Sequence, residues 1–129
     1  MEYFSSGGVR IAFIDHSPET GDGEPVLLIH GFASTHRVNW IDTSWLATLT
    51  RAGYRVIALD NRGHGQSDKL YNPDAYDPEI MATDVIALLD HLGIERADLI
   101  GYSMGARISA MAALRYPERV RSVVLGGLG

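Results

Sequence analysis

Leu99-Ile100-Gly101-Tyr102-Ser103-Met104-Gly105-Ala106 decides how this chain is read. An apolar run stops at Gly101, one serine stands between two glycines, and a helix-forming run begins. The spacing Gly-x-Ser-x-Gly suits a strand that turns abruptly into a helix, with the serine at the tip of the turn. Glycines flank it because such a turn brings neighbouring backbone too close for a Cβ. The serine oxygen then stands at the carboxyl end of a sheet. Backbone N–H groups opening the next helix are placed to stabilise a negatively charged oxygen.

Working outward, the segments on either side alternate strand with helix. Met1 to Ser5 reads as a short edge strand, and Val9 to Asp15 alternates as a half-buried strand does, so the two suit a hairpin. Ser17 to Gly23 is rich in turn residues. Pro25-Val26-Leu27-Leu28-Ile29 is continuously apolar, as a strand covered on both faces must be. It runs into His30-Gly31-Phe32. Trp40 to Arg51 reads as a helix with Trp45, Leu46 and Leu49 as its apolar stripe, stopped at Gly53. The strand Tyr54 to Leu59 enters a glycine-rich loop, Asp60 to Asp68. Asp77 is placed to cap a helix with Pro78 at its first position, and Met81, Val85, Leu88 and Leu92 follow on one face before Gly93. Ala97 to Tyr102 is the strand entering the serine turn. The alanine-rich helix after it runs from about Met104 to Tyr116, where Pro117 blocks extension. Val120 to Leu125 is the last strand. The pattern predicts an α/β fold: a mostly parallel sheet of about six strands with helices on both faces, in one domain over residues 1–129.

Bulk properties narrow the function. The 129 residues suffice for one core, and the net charge of -5 with both signs interspersed argues against nucleic acid or an anionic membrane as partner. There is no cysteine, so no disulfide or thiolate chemistry. The five histidines, His16, His30, His36, His64 and His91, have no metal-ligand spacing, so neither metal nor cofactor is expected. With no apolar leader and no run of membrane-spanning length, the expected location is cytoplasmic.

Three separated motifs together resemble the α/β-hydrolase family. His30-Gly31-Phe32 after an apolar strand resembles its oxyanion loop, Asp60-Asn61-Arg62-Gly63-His64-Gly65-Gln66-Ser67 its DxRGxGxS loop, and Gly101-Tyr102-Ser103-Met104-Gly105 its nucleophile elbow. The resemblance covers essentially the whole chain. It implies that Ser103 is the nucleophile and that the N–H groups of Phe32 and Met104 form the oxyanion hole, with Gly31, His30 and His36 in support. It also implies a truncated version of the fold, holding the first six strands and lacking the last two, the closing helix and any cap domain. The family order places the acid and the histidine after the serine. Only 26 residues follow Ser103 here, with one acidic residue, Glu118, and no histidine.

The expected reaction is ester-type hydrolysis of a small acyl substrate through an acyl-enzyme on Ser103. Serine at this position argues against epoxide hydrolase and dehalogenase chemistry, for which the resembling enzymes use aspartate. His30 is read as a structural hydrogen-bonding residue, and His36 as the one histidine to test as a stand-in base. Asp60 and Arg62 are read as fixing their own loop, and the Met104, Ile108 and Met111 stripe as helix packing. Two further readings stand beside the enzyme: an inactive half-domain that self-assembles, or a non-catalytic small-molecule binder. A homodimer is expected, through the open Val120–Leu125 edge or the uncovered sheet face beside the first helix.

Overall fold

Six strands form one sheet in the order β1-β2-β4-β3-β5-β6 in the computed structural model, which describes residues 1–18, 20 and 23–127. The strands are β1 (Glu2–Ser6), β2 (Val9–His16), β3 (Pro25–Ile29), β4 (Arg55–Leu59), β5 (Ala97–Tyr102) and β6 (Val120–Gly126). β1 and β2 pair as an antiparallel hairpin, β2 joins β4 antiparallel, and β4, β3, β5 and β6 run parallel. The α/β architecture expected from the alternation of elements is therefore present. Glu19, Gly21 and Asp22 of the turn read before β3, and Leu128 and Gly129 at the end, lie outside the described residues.

The apolar runs are buried on both faces for a geometric reason. Side chains alternate across a strand. In β3, Leu27 and Ile29 join the larger core and Val26 and Leu28 the smaller; in β4, Ile57 and Leu59 divide from Val56 and Ala58 in the same way. Each fully buried branched side chain contributes about 2 kcal/mol. Over the larger core lie α2 (Pro78–Leu92) and α3 (Met104–Arg115), so Ile108 is fully buried while Met104 and Met111 pack at its border. α2 begins where expected: the Asp77 carboxylate accepts from the Glu79 amide at 2.9 Å, and Pro78 follows. It ends at Gly93 in the left-handed region at φ 67°, a conformation that costs glycine little.

The opposite face is covered differently from the expectation. The helix expected from Trp40 is two pieces: a π-helical turn, Arg37–Ile41, and a shorter α1, Trp45–Arg51. Asp42-Thr43-Ser44 interrupts them, and Ser44 sits at φ 68° with its N–H donating to the Ile41 carbonyl at 3.0 Å. Trp40 and Leu46 still reach the core, because the apolar spacing survives the break. Beyond α1 this face has no further cover among the described residues. Val124 is 57% exposed and Trp45 46%, with Ile100 half-buried beside them. None of the helices among the described residues is long and apolar enough to cross a membrane.

Candidate active site

Three loops meet at the carboxyl ends of β3, β4 and β5. The loop after β5 holds Ser103 at φ 57° and ψ −114°, a strained conformation for a residue with a side chain. Close approach of backbone sustains it. A Cβ on Gly105 would run into the carbonyl oxygens of Ile29 and His30, and one on Gly101 into the carbonyl of Gly105. Glycine at both positions lets α3 start against the end of β3. The Ser103 N–H donates to the Gly126 carbonyl at 2.8 Å, and the Ser103 carbonyl accepts from Ala106 at 3.0 Å, so backbone pins both sides of the turn. Ser103 itself is half-buried.

The loop after β3 lies across from it, with Gly31 packed against Tyr102 and Ser103 so closely that an added Cβ would meet the Tyr102 carbonyl at 3.3 Å. The amides along this loop are spoken for in a particular pattern. Gly31 N–H donates to Asn39 Oδ1 at 2.8 Å, Ala33 N–H to His64 Nε2 at 3.1 Å, and Ser34 N–H to the Gly31 carbonyl at 3.3 Å. Among the described residues the Phe32 N–H between them has no acceptor, and neither has the Met104 N–H at the start of α3. The Phe32 ring is 76% exposed. A cavity of about 330 Å³ opens between Phe32, Ala33, His64, Tyr76 and Met104.

The loop after β4 braces both. Asp60 Oδ1 accepts from the His36 amide at 2.9 Å and from His36 Nδ1 at 2.7 Å, while its Oδ2 accepts from the Gln66 amide at 3.0 Å. Burial alone would raise the Asp60 pKa; the hydrogen bonds from His36 and Gln66 outweigh it and hold the carboxyl at about 2. β3 lies between β4 and β5, so Asp60 stands apart from the serine strand and works inside its own loop. Arg62 does more than serve this loop. It makes a two-pronged bond to Asp84 of α2, at 2.8 and 2.7 Å, and also donates to the Ala75 carbonyl at 3.2 Å. Ser6 adds a third hydrogen bond to Asp84, at 2.6 Å, so one buried carboxylate ties the loop, the helix and the edge hairpin together.

No side chain among the described residues hydrogen-bonds Ser103 Oγ. His36 is buried and commits its Nδ1 and amide to Asp60. His30 is fully buried, its Nδ1–H donating to the Gly31 carbonyl at 2.7 Å and its Nε2 accepting from the Asn61 amide at 2.9 Å. Burial pushes the His30 pKa down from 6.5 to about 4, so the ring is neutral near neutral pH. His16 and His91 are exposed, with His91 stacked on Phe4 at 5.7 Å. Asn39, Asp84 and Ser6 went unnoticed in the sequence. Asp84 carries a readable signal: three residues after Met81 and four before Leu88, it falls within the buried stripe of α2. Asn39 carries none, since its partner Gly31 lies across a loop. No cluster of three potential metal ligands forms among the described residues.

Comparison with known proteins gives the family and the fold. Epoxide hydrolase B of Mycobacterium tuberculosis is 37% identical over 120 residues, which is 91% of this chain and 32% of that protein. The 2-hydroxy-6-oxo-6-phenylhexa-2,4-dienoate hydrolase of Comamonas testosteroni is 38% identical over 121 residues, 91% of this chain and 42% of that protein. The crystal structure of epoxide hydrolase A from Mycobacterium thermoresistibile superposes with a TM-score of 0.86 at 34% identity, covering 96% of this chain and 37% of that one. The chain thus spans 32 to 42% of the length of these three relatives. The profile of the family described as "alpha/beta hydrolase fold" matches residues 24–128, from the start of β3 through the elbow to the end of β6, and the chain belongs to that family.

Proposed function

We propose that this chain carries the nucleophile and the oxyanion cradle of a serine hydrolase acting on an ester or related acyl bond. One observation supports this above all: Ser103 sits in a strained elbow flanked by two amides, Phe32 and Met104, that donate to nothing else among the described residues. In the reaction Ser103 Oγ attacks the acyl carbon and gives its proton to a base. The negative charge on the former carbonyl oxygen is met by the two N–H groups. Collapse breaks the bond to the leaving group, which takes the proton from the base. Water then cleaves the acyl-serine ester and releases the acid. No base is fixed by contact with Ser103 Oγ among the described residues: His30 and His64 use both ring nitrogens on backbone, and His36 has its Nδ1 held by Asp60.

Elementary chemistry favours an acyl substrate over an epoxide, although two of these relatives are named for epoxide hydrolysis. A serine opening an epoxide ring forms an ether, which has no carbonyl for water to attack, and the enzyme stops after one event. A serine acylated by an ester forms an ester, which turns over.

A fluorophosphonate probe and p-nitrophenyl acetate test the reading. Labelling is expected at Ser103 alone, and Ser103→Ala is expected to lose it together with whatever p-nitrophenyl acetate hydrolysis the chain shows above the uncatalysed rate. Equal rates for both proteins would end it. The bare Oγ favours a second reading, an unreactive half-domain with a groove of about 390 Å³ between Trp40, Trp45, Ile100 and Val124. Absence of labelling in a folded protein would favour that one.

A further inference from the structure

We propose that His64 is a positioning residue for the oxyanion loop, and that with His30 it forms a reciprocal latch between two loops. Each loop lends a histidine to the other's backbone. His30, at the start of the loop after β3, accepts from Asn61 N–H of the loop after β4 at 2.9 Å. His64, on the loop after β4, accepts from Ala33 N–H of the loop after β3 at 3.1 Å. Both acceptors are Nε2, and both rings are set in that role by an Nδ1–H that donates to a carbonyl of the histidine's own loop, Gly31 for His30 at 2.7 Å and Arg62 for His64 at 3.0 Å. The rings lie 5.2 Å apart, and the Phe32 ring stands edge-on to His64 at 5.8 Å.

The latch decides which amide stays free. Ala33 is at φ 59°, so the chain turns sharply just after Phe32. With Gly31 N–H held by Asn39 and Ala33 N–H by His64, the peptide between them has little freedom to rotate. Its N–H is left without an acceptor among the described residues. Protonating either Nε2 replaces an acceptor by a donor facing another donor, and the latch opens. The groups around the pair are Asp60 and His36 beside His30, and Tyr76 across the cavity from His64. The inference rests on reading Phe32 N–H as an oxyanion donor, so its test includes a measurement that needs no reaction.

Amide hydrogen exchange by NMR on the full chain is that measurement. At neutral pH the Ala33 amide is expected to be protected, and His64→Leu to lower its protection about tenfold. His64→Gln, which offers a carbonyl oxygen, should restore most of it. An Ala33 amide that exchanges freely, or that is equally protected in His64→Leu, would overturn the latch. Fluorophosphonate labelling provides the second arm: His64→Leu should slow Ser103 labelling about tenfold and His64→Gln should recover it. Loss of labelling in the unaltered protein with Ala33 still protected overturns the hydrolase reading and leaves the latch standing. Unchanged labelling in His64→Leu with Ala33 unprotected overturns its role in positioning the donor.

Discussion

Asp84 concentrates more of the molecule's order than any residue near the serine. Its carboxylate is 1% exposed and takes hydrogen bonds from Arg62 and Ser6. Removing it strands the buried guanidinium, and breaking a pair of this kind costs about 3–5 kcal/mol. Urea unfolding of Asp84→Ala should show a loss in that range; a loss under about 1 kcal/mol would show that water reaches Arg62 and makes the pair dispensable. At this scale the sequence was most legible where the chemistry is local. Ser103, Phe32 and Met104 are picked out by glycines one or two positions away. Asp84 meets Arg62 across 22 residues, and spacing along a chain says nothing of partners at that distance. His36 illustrates the same limit: its position near the carboxyl edge was foreseeable, its capture by Asp60 was not.

Among elements, β6 is the edge strand on the parallel side of the sheet. It pairs with β5 in parallel register from Ala97↔Val120 to Tyr102↔Gly126, and among the described residues nothing meets its other side. Val124 and Leu125 are both exposed. Unpaired strand polar groups beside apolar side chains favour association, and we propose that two copies of this chain pair there. Sedimentation at micromolar concentration should find a dimer, and Val124→Lys should shift it to monomer. A monomeric unaltered chain would refute the pairing. The strands themselves were legible because burial on two faces demands unbroken apolar runs. The start of α1 was not. Its periodicity continues through Trp40, but Ser44 takes a left-handed backbone that no apolar pattern registers, and the segment divides.

For the molecule as a whole, acid is the informative perturbation. Folded His30 takes up its proton only near pH 4, whereas the unfolded chain does so near 6.5. Between those values the unfolded state binds more protons, so stability is full above pH 6.5 and drains away as the pH falls to 4, by about 3 kcal/mol. Asp60, held at about 2 against an ordinary 3.8, adds a second loss only below pH 3.8. Urea midpoints measured from pH 7 to pH 4.5 should therefore decline, and the slope should flatten in His30→Gln. A flat profile in the unaltered protein would place His30 in contact with water. The mostly parallel sheet flanked by helices followed from the sequence because strands alternating with helices demand crossover connections. How the three loops brace each other did not, since that depends on which nitrogen meets which amide.

The hydrogen bond from the Ser103 amide to the Gly126 carbonyl joins the serine elbow to the outermost ribbon of the sheet. Whatever comes to rest along that rim, whether a copy of this chain or another stretch of polypeptide, pulls on the same peptide that sets the serine's posture. On the pairing proposed above, assembly and the posture of the serine are linked through one amide.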